Sequence, residues 1–380
     1  MSDGAAAGPD LATPAVTVVP AGSAVPAPLR VLSLPDYSRD NPYQRLLADG
    51  LLGQGVRSIG GRPGRRQPFP IVSAWLRAGR PRVLHLHWTH EYLKGADGPT
   101  RVNRARFLGQ LRVLRRAGVR IVWTMHNLGG HDGARHPEEM AVHRDLVRLA
   151  DAVICHCFTA REAAITAYGL TAAESARLMV IPHGSYLGVY PDTIAPADAR
   201  DRLGLPPTGP VLLFLGAVRG YKGTDDLVAA FGAIADPDAR LLIAGRPKGA
   251  GIEERLAAAA AADPRIRLHL SFVPDAELQV WLRAADLVVL PFREILTSGS
   301  AILALSFGRP VVAPALGCLP ETVPPTAGIL YDPDAPDALA DSLSAALSGD
   351  LAALGAGALA RARELDWAPI AVRTAALYRG

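Results

Sequence analysis

From residue 29 onward, short unbroken apolar runs alternate with longer stretches in which apolar residues recur at helical spacing. Runs of four to six apolar residues flanked by Gly, Pro and polar residues read as strands buried on both faces, and the helical stretches between them supply the cover. The pattern predicts an α/β chain built on parallel sheets. In the first half, strands are expected at residues 30–34, 83–87, 121–124, 152–156 and 179–182. A second series is expected at residues 211–215, 240–244, 265–270, 287–291 and 310–313. Between the two series, residues 191–208 are dense in Pro, Asp and Ala and read as a linker. The expected division is a disordered tail at 1–27, a first Rossmann-like domain at 28–190, the linker at 191–208, a second Rossmann-like domain at 209–365, and an amphipathic helix at 366–380.

Composition agrees with two cores, since 380 residues exceed a usual single domain and 49% of them are hydrophobic. The net charge of +4 leaves a mild preference for anionic ligands and no expectation of a nucleic-acid partner. Residues 1–27 contain no Lys or Arg and so lack the basic start of a secretory signal. No apolar run approaches the ~20 residues of a membrane-spanning helix, and a cytoplasmic protein is expected. Only three cysteines occur. Cys155, His156 and Cys157 tempt a zinc assignment, but adjacent strand residues point to opposite faces, so they are read as plain core residues in a reducing compartment and no metal is assigned.

In an open parallel sheet, ligands bind beyond the carboxyl ends of the strands. After residues 211–215 comes GAVRGYKGT at 216–224, with three glycines and two cations where a helix is about to start. Gly216 permits close approach of a ligand, Arg219 grips phosphate oxygens with its fork, and Lys222 adds a mobile point charge. The arrangement fits a diphosphate; a βα turn with solvated charges is the plainer alternative. It is not an ATPase P-loop, because Tyr221 stands where the glycine before the lysine is needed. The second strand end of interest is FREILTSGS at 292–300, where Thr297, Ser298, Gly299 and Ser300 start a helix and offer amides and hydroxyls to an anion. An ordinary serine N-cap is the plainer reading there.

In the first half, His126 and Asn127 follow the strand at 121–124, beside the glycine pair at 129–130. A histidine at such a place can donate to a sugar hydroxyl or carry a proton near neutral pH. His87, Trp88 and His90 end another strand, where the indole can stack on a sugar face. His183, Gly184, Ser185 and Tyr186 end the last strand of that half and lead toward the gap between domains. Tyr37 and Asn41, after the first strand, belong with the cleft candidates. The helix at 101–117 carries a row of arginines, read as a solvated outer face, with weak peripheral contact to anionic lipid as the sharper alternative. The aspartates of DPD at 236–238 and 332–334 and of the 225–226 pair read as loop and cap residues.

The run GAVRGYKGTDDLVAAF, with LLIAGRPKG, FVPDAELQVWLRAADLVVLPF, SGSAILALSFGRPVVAPALGCLPETV and GILYDPDAPDALADSL, resembles the carboxyl-terminal half of GT-B glycosyltransferases similar to glycosyltransferase family 4. The segments TMHN, CHCFTAREAAITAYG and VIPHGSY are similar to the same group. The resemblance implies two Rossmann-like domains facing across a cleft, with a final helix crossing back to the first domain. It further implies a nucleotide-sugar donor (UDP, GDP or dTDP) held mainly by the second domain, a sugar, glycan or metabolite acceptor held mainly by the first, and no metal or other cofactor. On it, Arg219 and Lys222 hold the donor diphosphate, residues 297–300 cradle the distal phosphate, and His126 contacts the transferred sugar. Gly216, Glu294, His183 and Gly184 then fall to the donor sugar or nucleotide. The family pattern has two glutamates separated by seven residues; counting back from Gly308 the second falls at Leu303, and Glu294 stands one residue out of register for the first. Rival readings on the same fold are a nucleotide-sugar epimerase, a phosphorylase, or a nonenzymatic sugar-nucleotide binder. An oxidoreductase is disfavoured, because the first strand is not followed by GxGxxG.

Overall fold

The computed structural model describes residues 27–39, 41–61, 68–93, 100–129 and 137–380. Nearly all of the expected tail, and one residue of the glycine pair after His126, lie outside them. Two six-stranded sheets form, and every pairing within each is parallel. The first comprises β1 Leu29–Leu34, β2 Val56–Gly60, β3 Val83–Leu86, β4 Arg120–Thr124, β5 Ala152–Cys155 and β6 Leu178–Val180, in the order β2-β1-β3-β4-β5-β6. The second comprises β7 Val211–Leu215, β8 Arg240–Ala244, β9 Ile266–His269, β10 Leu287–Val289, β11 Val311–Pro314 and β12 Gly328–Tyr331, in the order β12-β11-β10-β7-β8-β9.

The two strands that patterning misses, β2 and β12, are sheet edges. VRSIG and GILY are each half-exposed beyond their first residue, so neither carries the continuous apolar run that marks a central strand. Within the first sheet, alternate residues feed two cores. Leu32, Leu84, Ile121 and Trp123 face the helices Pro70–Arg77, Arg101–Arg116 and Pro137–Leu149, while Val31, Val83, Val122 and Ile154 face the other way. Complete burial of each such side chain is worth roughly 1.5–3 kcal/mol relative to exposure.

The second face of that sheet is covered by the helix Pro42–Leu52 and by the last helix of the chain, Trp367–Arg379. Ile370, Ala371, Ala375 and Tyr378 complete this core, Ala371 lies against Gly50, and Arg120 Nε donates to Leu377 O at 2.5 Å. The terminal helix therefore leaves the second half and packs on the first. Its entry is fixed by Trp367, whose Nε1 donates to Ser185 O at 2.8 Å while Ser185 N donates to Leu365 O at 2.8 Å. The indole lies directly over Gly184, where a β-carbon would overlap its ring.

Gly184→Ala is therefore expected to displace Trp367 and destabilise the fold by about 1–3 kcal/mol, the usual cost of overpacking. Gly109→Ala, at a helix position where a β-carbon meets nothing, serves as control. Thermal unfolding with limited proteolysis of the terminal helix checks this: equal stability of the two variants would contradict the described seat of Trp367.

Candidate active site

The second sheet places its candidate anion-binding groups at the carboxyl end of β7. Gly216 has φ +134°, and a β-carbon there would lie 3.3 Å from Lys222 Nζ and 3.6 Å from Ser300 Oγ. An ammonium, a hydroxyl and bare backbone thus converge on one spot. Lys222 ends the 3-10 turn Gly220–Lys222, and Gly223 behind it has φ +68° and passes so close to Pro291 O that no side chain fits. The helix Thr224–Gly232 that follows has no side-chain cap. Lys222 Nζ sits 5.6 Å above the Phe292 ring. Burial, with the charge of Arg219 second, pushes its pKa down to about 8.

At the other strand end, the serines divide their roles. Ser298 Oγ accepts from Ala301 N at 3.1 Å and caps the helix Gly299–Ser306, so its hydroxyl is spent on the fold and Ser300 is the one beside Lys222. The amides of Gly299 and Ser300 take no partner among the described residues. Thr297 Oγ1 lies 3.7 Å from Cys318 Sγ. Glu294 is exposed, next to an Arg293 that is bound in two 2.7 Å contacts to Asp226. Ile295 and Leu303, at the positions of the family's glutamates, pack against the core of the second half.

The first sheet answers with rings. His87, His126, His156 and His183 come from the carboxyl ends of β3, β4, β5 and β6, and all four surround Tyr43 at centroid distances of 5.9, 5.1, 5.4 and 4.8 Å. Parallel pairing forces this convergence. Trp88 stacks on His126 at 4.3 Å and 11°, with Tyr37 against its other side at 5.2 Å. His126 is half-buried and, with His87, Trp88, His90 and Asn127, lines one small cavity. His87 Nε2 bonds Ser33 Oγ at 3.1 Å, and in the strand behind it His85 bonds Thr124 and Tyr378.

The ring row crosses to the second half. His126 and His156 lie 5.4 Å apart, His156 and His183 5.4 Å, His183 and Tyr186 5.5 Å, and the Tyr186 hydroxyl reaches the backbone of Gly299. Tyr186 N also donates to Ser306 Oγ at 2.9 Å. The carboxyl ends of the two sheets therefore face each other, with His126 at one end of a continuous row and the Lys222–Ser300 pocket just past the other.

Several candidates turn out to build the fold. Asn41 caps the helix Pro42–Leu52 through Tyr43 N, His183 Nδ1 bonds Gly184 O, and Trp367 fills the space over Gly184 and holds Ser185, leaving that glycine no room for a ligand. Arg101, Arg104 and Arg115 pair with Glu138, Asp145 and Asp151 on the outer layer. Cys157 corrects the reading of Cys155 and Cys157 as plain core thiols: it is disulfide-bonded to Cys318 in the other half, and only Cys155 stays a buried free thiol. No cluster of metal-capable side chains occurs among the described residues, Cys155, His156 and Cys157 included.

Residues 209–349 match the family described as glycosyl transferases group 1. A D-inositol 3-phosphate glycosyltransferase of Catenulispora acidiphila is 33% identical over 364 residues, covering 88% of this chain and 82% of that protein. The chain belongs to this glycosyltransferase family. A GDP-mannose:glycolipid 4-beta-D-mannosyltransferase of Xanthomonas campestris pv. campestris is 31% identical over 277 residues, 72% of this chain and 70% of that protein. Among solved structures, Anabaena HepE in complex with UDP and the sucrose-phosphate synthase of Thermosynechococcus elongatus each superpose with TM-score 0.69. Their identities are 17% and 21%, and each comparison covers 92% of this chain and 98% of the other. They share the GT-B fold.

In this glycosyltransferase the parts that sequence reasoning missed are Tyr43 at the centre of the rings, Trp367 on the terminal helix, and Cys318. None carries a local signal, because each gains its meaning from residues more than 40 positions away. Burial opposes protonation of His85, His87, His143, His156 and His183. It pushes His143 and His156 down to about 4 and, helped by the charge that His156 would carry, His85 and His183 to about 3. A histidine depressed in the folded state gives stability that is full above its unfolded pKa of about 6.5 and is lost as pH falls toward the folded value. The unfolding free energy of the glycosyltransferase is expected to fall by ~1.4 kcal/mol per pH unit per buried histidine between about pH 6 and pH 4. Urea titrations at pH 7.5, 6 and 5 measure it; a flat profile would mean that these rings protonate without opening the cleft.

Proposed function

We propose that the enzyme transfers a sugar from a nucleoside diphosphate sugar to an acceptor hydroxyl, with the diphosphate departing against Gly216, Arg219, Lys222, Ser300 and the first amides of the helix Gly299–Ser306. The convergence of Lys222 Nζ and Ser300 Oγ over Gly216 carries this reading. Charge builds on the leaving diphosphate in the transition state, and preorganised cations and helix N-termini stabilise it without reorganisation. Two cations and two helix starts supply the positive potential that a divalent metal provides elsewhere, so turnover without metal belongs to the same proposal. His126, set on Trp88 at the end of the ring row, lies on the wall facing the transferred sugar. The UDP complex of a structural relative and the mannosyl donor in the name of another relative support a nucleotide-sugar donor.

Peripheral contact with anionic lipid also belongs here, through the outward face of the helix Arg101–Arg116, where Arg106, Arg112 and Arg116 lie beside exposed Val102 and Val113.

Lys222→Ala is expected to lower kcat about 10²–10³-fold, the usual loss when one such donor is removed, while the thermal midpoint stays near that of the parent. Acceptor-dependent release of nucleoside diphosphate from a panel of UDP, GDP, ADP and dTDP sugars, assayed with chelator present, reads both donor and turnover. Parent-rate transfer by the variant would remove Lys222 from the leaving-group site. Because the lysine titrates at about 8, kcat/KM for the donor should fall as pH rises above that value and the ammonium loses its charge. Lys222→Arg should lack this limb.

A further inference from the structure

The sequence places Cys157 and Cys318 161 residues apart, in different halves, and the fold brings their Cα atoms to 5.5 Å and joins them. Both belong to strand-end loops. Cys157 follows β5 and caps the helix Phe158–Tyr168, its sulfur accepting from Ala160 N at 3.1 Å, while Cys318 follows β11. Around the bond the halves grip each other. The Glu321 carboxylate accepts from Phe158 N at 2.9 Å, Thr159 N at 2.8 Å and Thr159 Oγ1 at 2.9 Å. Cys318 N donates to Leu296 O at 2.7 Å, and Thr297 Oγ1 touches the Cys318 sulfur. Gly317, at φ +54°, passes too close to Ile295 O and Leu296 O for a side chain. The segment 316–321 is thus fastened to the first half on one side and to residues 295–297, which lead into the Ser298–Ser300 turn, on the other.

We propose that Cys157 and Cys318 form a redox-modification site that latches the two domains across the cleft and fixes the loop entering the donor pocket. The co-reactant is a low-molecular-weight disulfide. Cys157 is the attacking thiol, since a helix N-terminus favours its thiolate. It displaces one thiol from the co-reactant to give a mixed disulfide, and the Cys318 thiolate then displaces the second. Two protein thiols lose two protons and two electrons, and one external disulfide becomes two thiols. The bond forms only when the halves are apposed, so it holds them apposed by the same coupling. GT-B halves so tethered cannot part, and release of product from between them slows. That consequence for turnover rests on the donor reading of the pocket; the latch itself does not.

The full chain, reduced with dithiothreitol and then equilibrated with excess oxidised glutathione, is to be compared with Cys318→Ser under the same treatment. Peptide mass mapping should show Cys157 linked to Cys318 in the parent. Amide hydrogen exchange across residues 295–300 should slow at least tenfold on oxidation, and sugar transfer should fall at least tenfold, both restored by dithiothreitol. The variant should respond in neither readout. The exchange comparison between the oxidised and reduced parent needs no variant and no substrate, so it stands even if Cys318→Ser folds poorly or the donor reading fails. Absence of the 157–318 link, or a link that leaves exchange at 295–300 unchanged, overturns the latch. Slowed exchange with no transfer in either state overturns the donor reading and keeps the latch.

Discussion

Parallel pairing is the constraint from which the site follows. When all strands of a sheet run one way, every strand-end loop emerges at the same edge, and each must cross a helix before returning to start the next strand. Residues far apart in sequence are then neighbours without further design. His87, His126, His156 and His183 meet around Tyr43 because four successive strands end at one edge. The same rule brings Gly216 and Ser300 together in the second sheet, where β7 and β10 are adjacent. What pairing within each sheet does not determine is how the two edges face. That is set by Tyr186 on Ser306 and Gly299, by Trp367 over Gly184, and by the Cys157–Cys318 bond.

The two faces differ in kind, and the difference suits their proposed tasks. The first presents aromatic rings, among which burial opposes protonation of His87, His156 and His183. Such a face suits a sugar, which offers hydroxyls to bond and a ring face to stack. The second presents Arg219, Lys222 and helix starts, a positive field against glycine backbone. An anion in that pocket would favour the charged form of Lys222, reversing the depression that burial and Arg219 impose in its absence.

Fold class and strand ends were legible because central parallel strands carry continuous apolar runs and Gly-rich turns follow them. The edge strands β2 and β12 were not, since strands half open to solvent lose that run. At the proposed donor site, spacing pointed to the two segments that the fold brings together and left the roles of individual atoms open. Ser298 and Ser300 are equivalent in sequence, and only the helix start decides that one hydroxyl caps Ala301 while the other turns to Lys222. Gly184 was read as freedom for a turn toward a ligand, whereas it yields space to an indole 183 residues later. The adjacent-residue argument at Cys155–Cys157 read Cys157 as a plain core residue and had no means of finding its partner across the cleft.

The departures at Ile295 and Leu303 bear on how a donor is recognised. Both side chains are half-buried and pack against the core of the second half, so a glutamate at either place would give up that apolar contact. The substitution pattern is therefore coherent with the packing rather than a lost site waiting to be refilled. Glu294, one residue out of register, is exposed beside the Arg293–Asp226 pair. In a nucleotide-sugar reading, the hydroxyls of the ribose then lack a carboxylate partner from these positions, and a larger share of donor affinity falls on the diphosphate grip of Arg219, Lys222 and Ser300. On that reading the candidates for selectivity among bases are Arg246, Lys248 and the exposed Phe272, which follow β8, the neighbour of β7, and β9, the neighbour of β8.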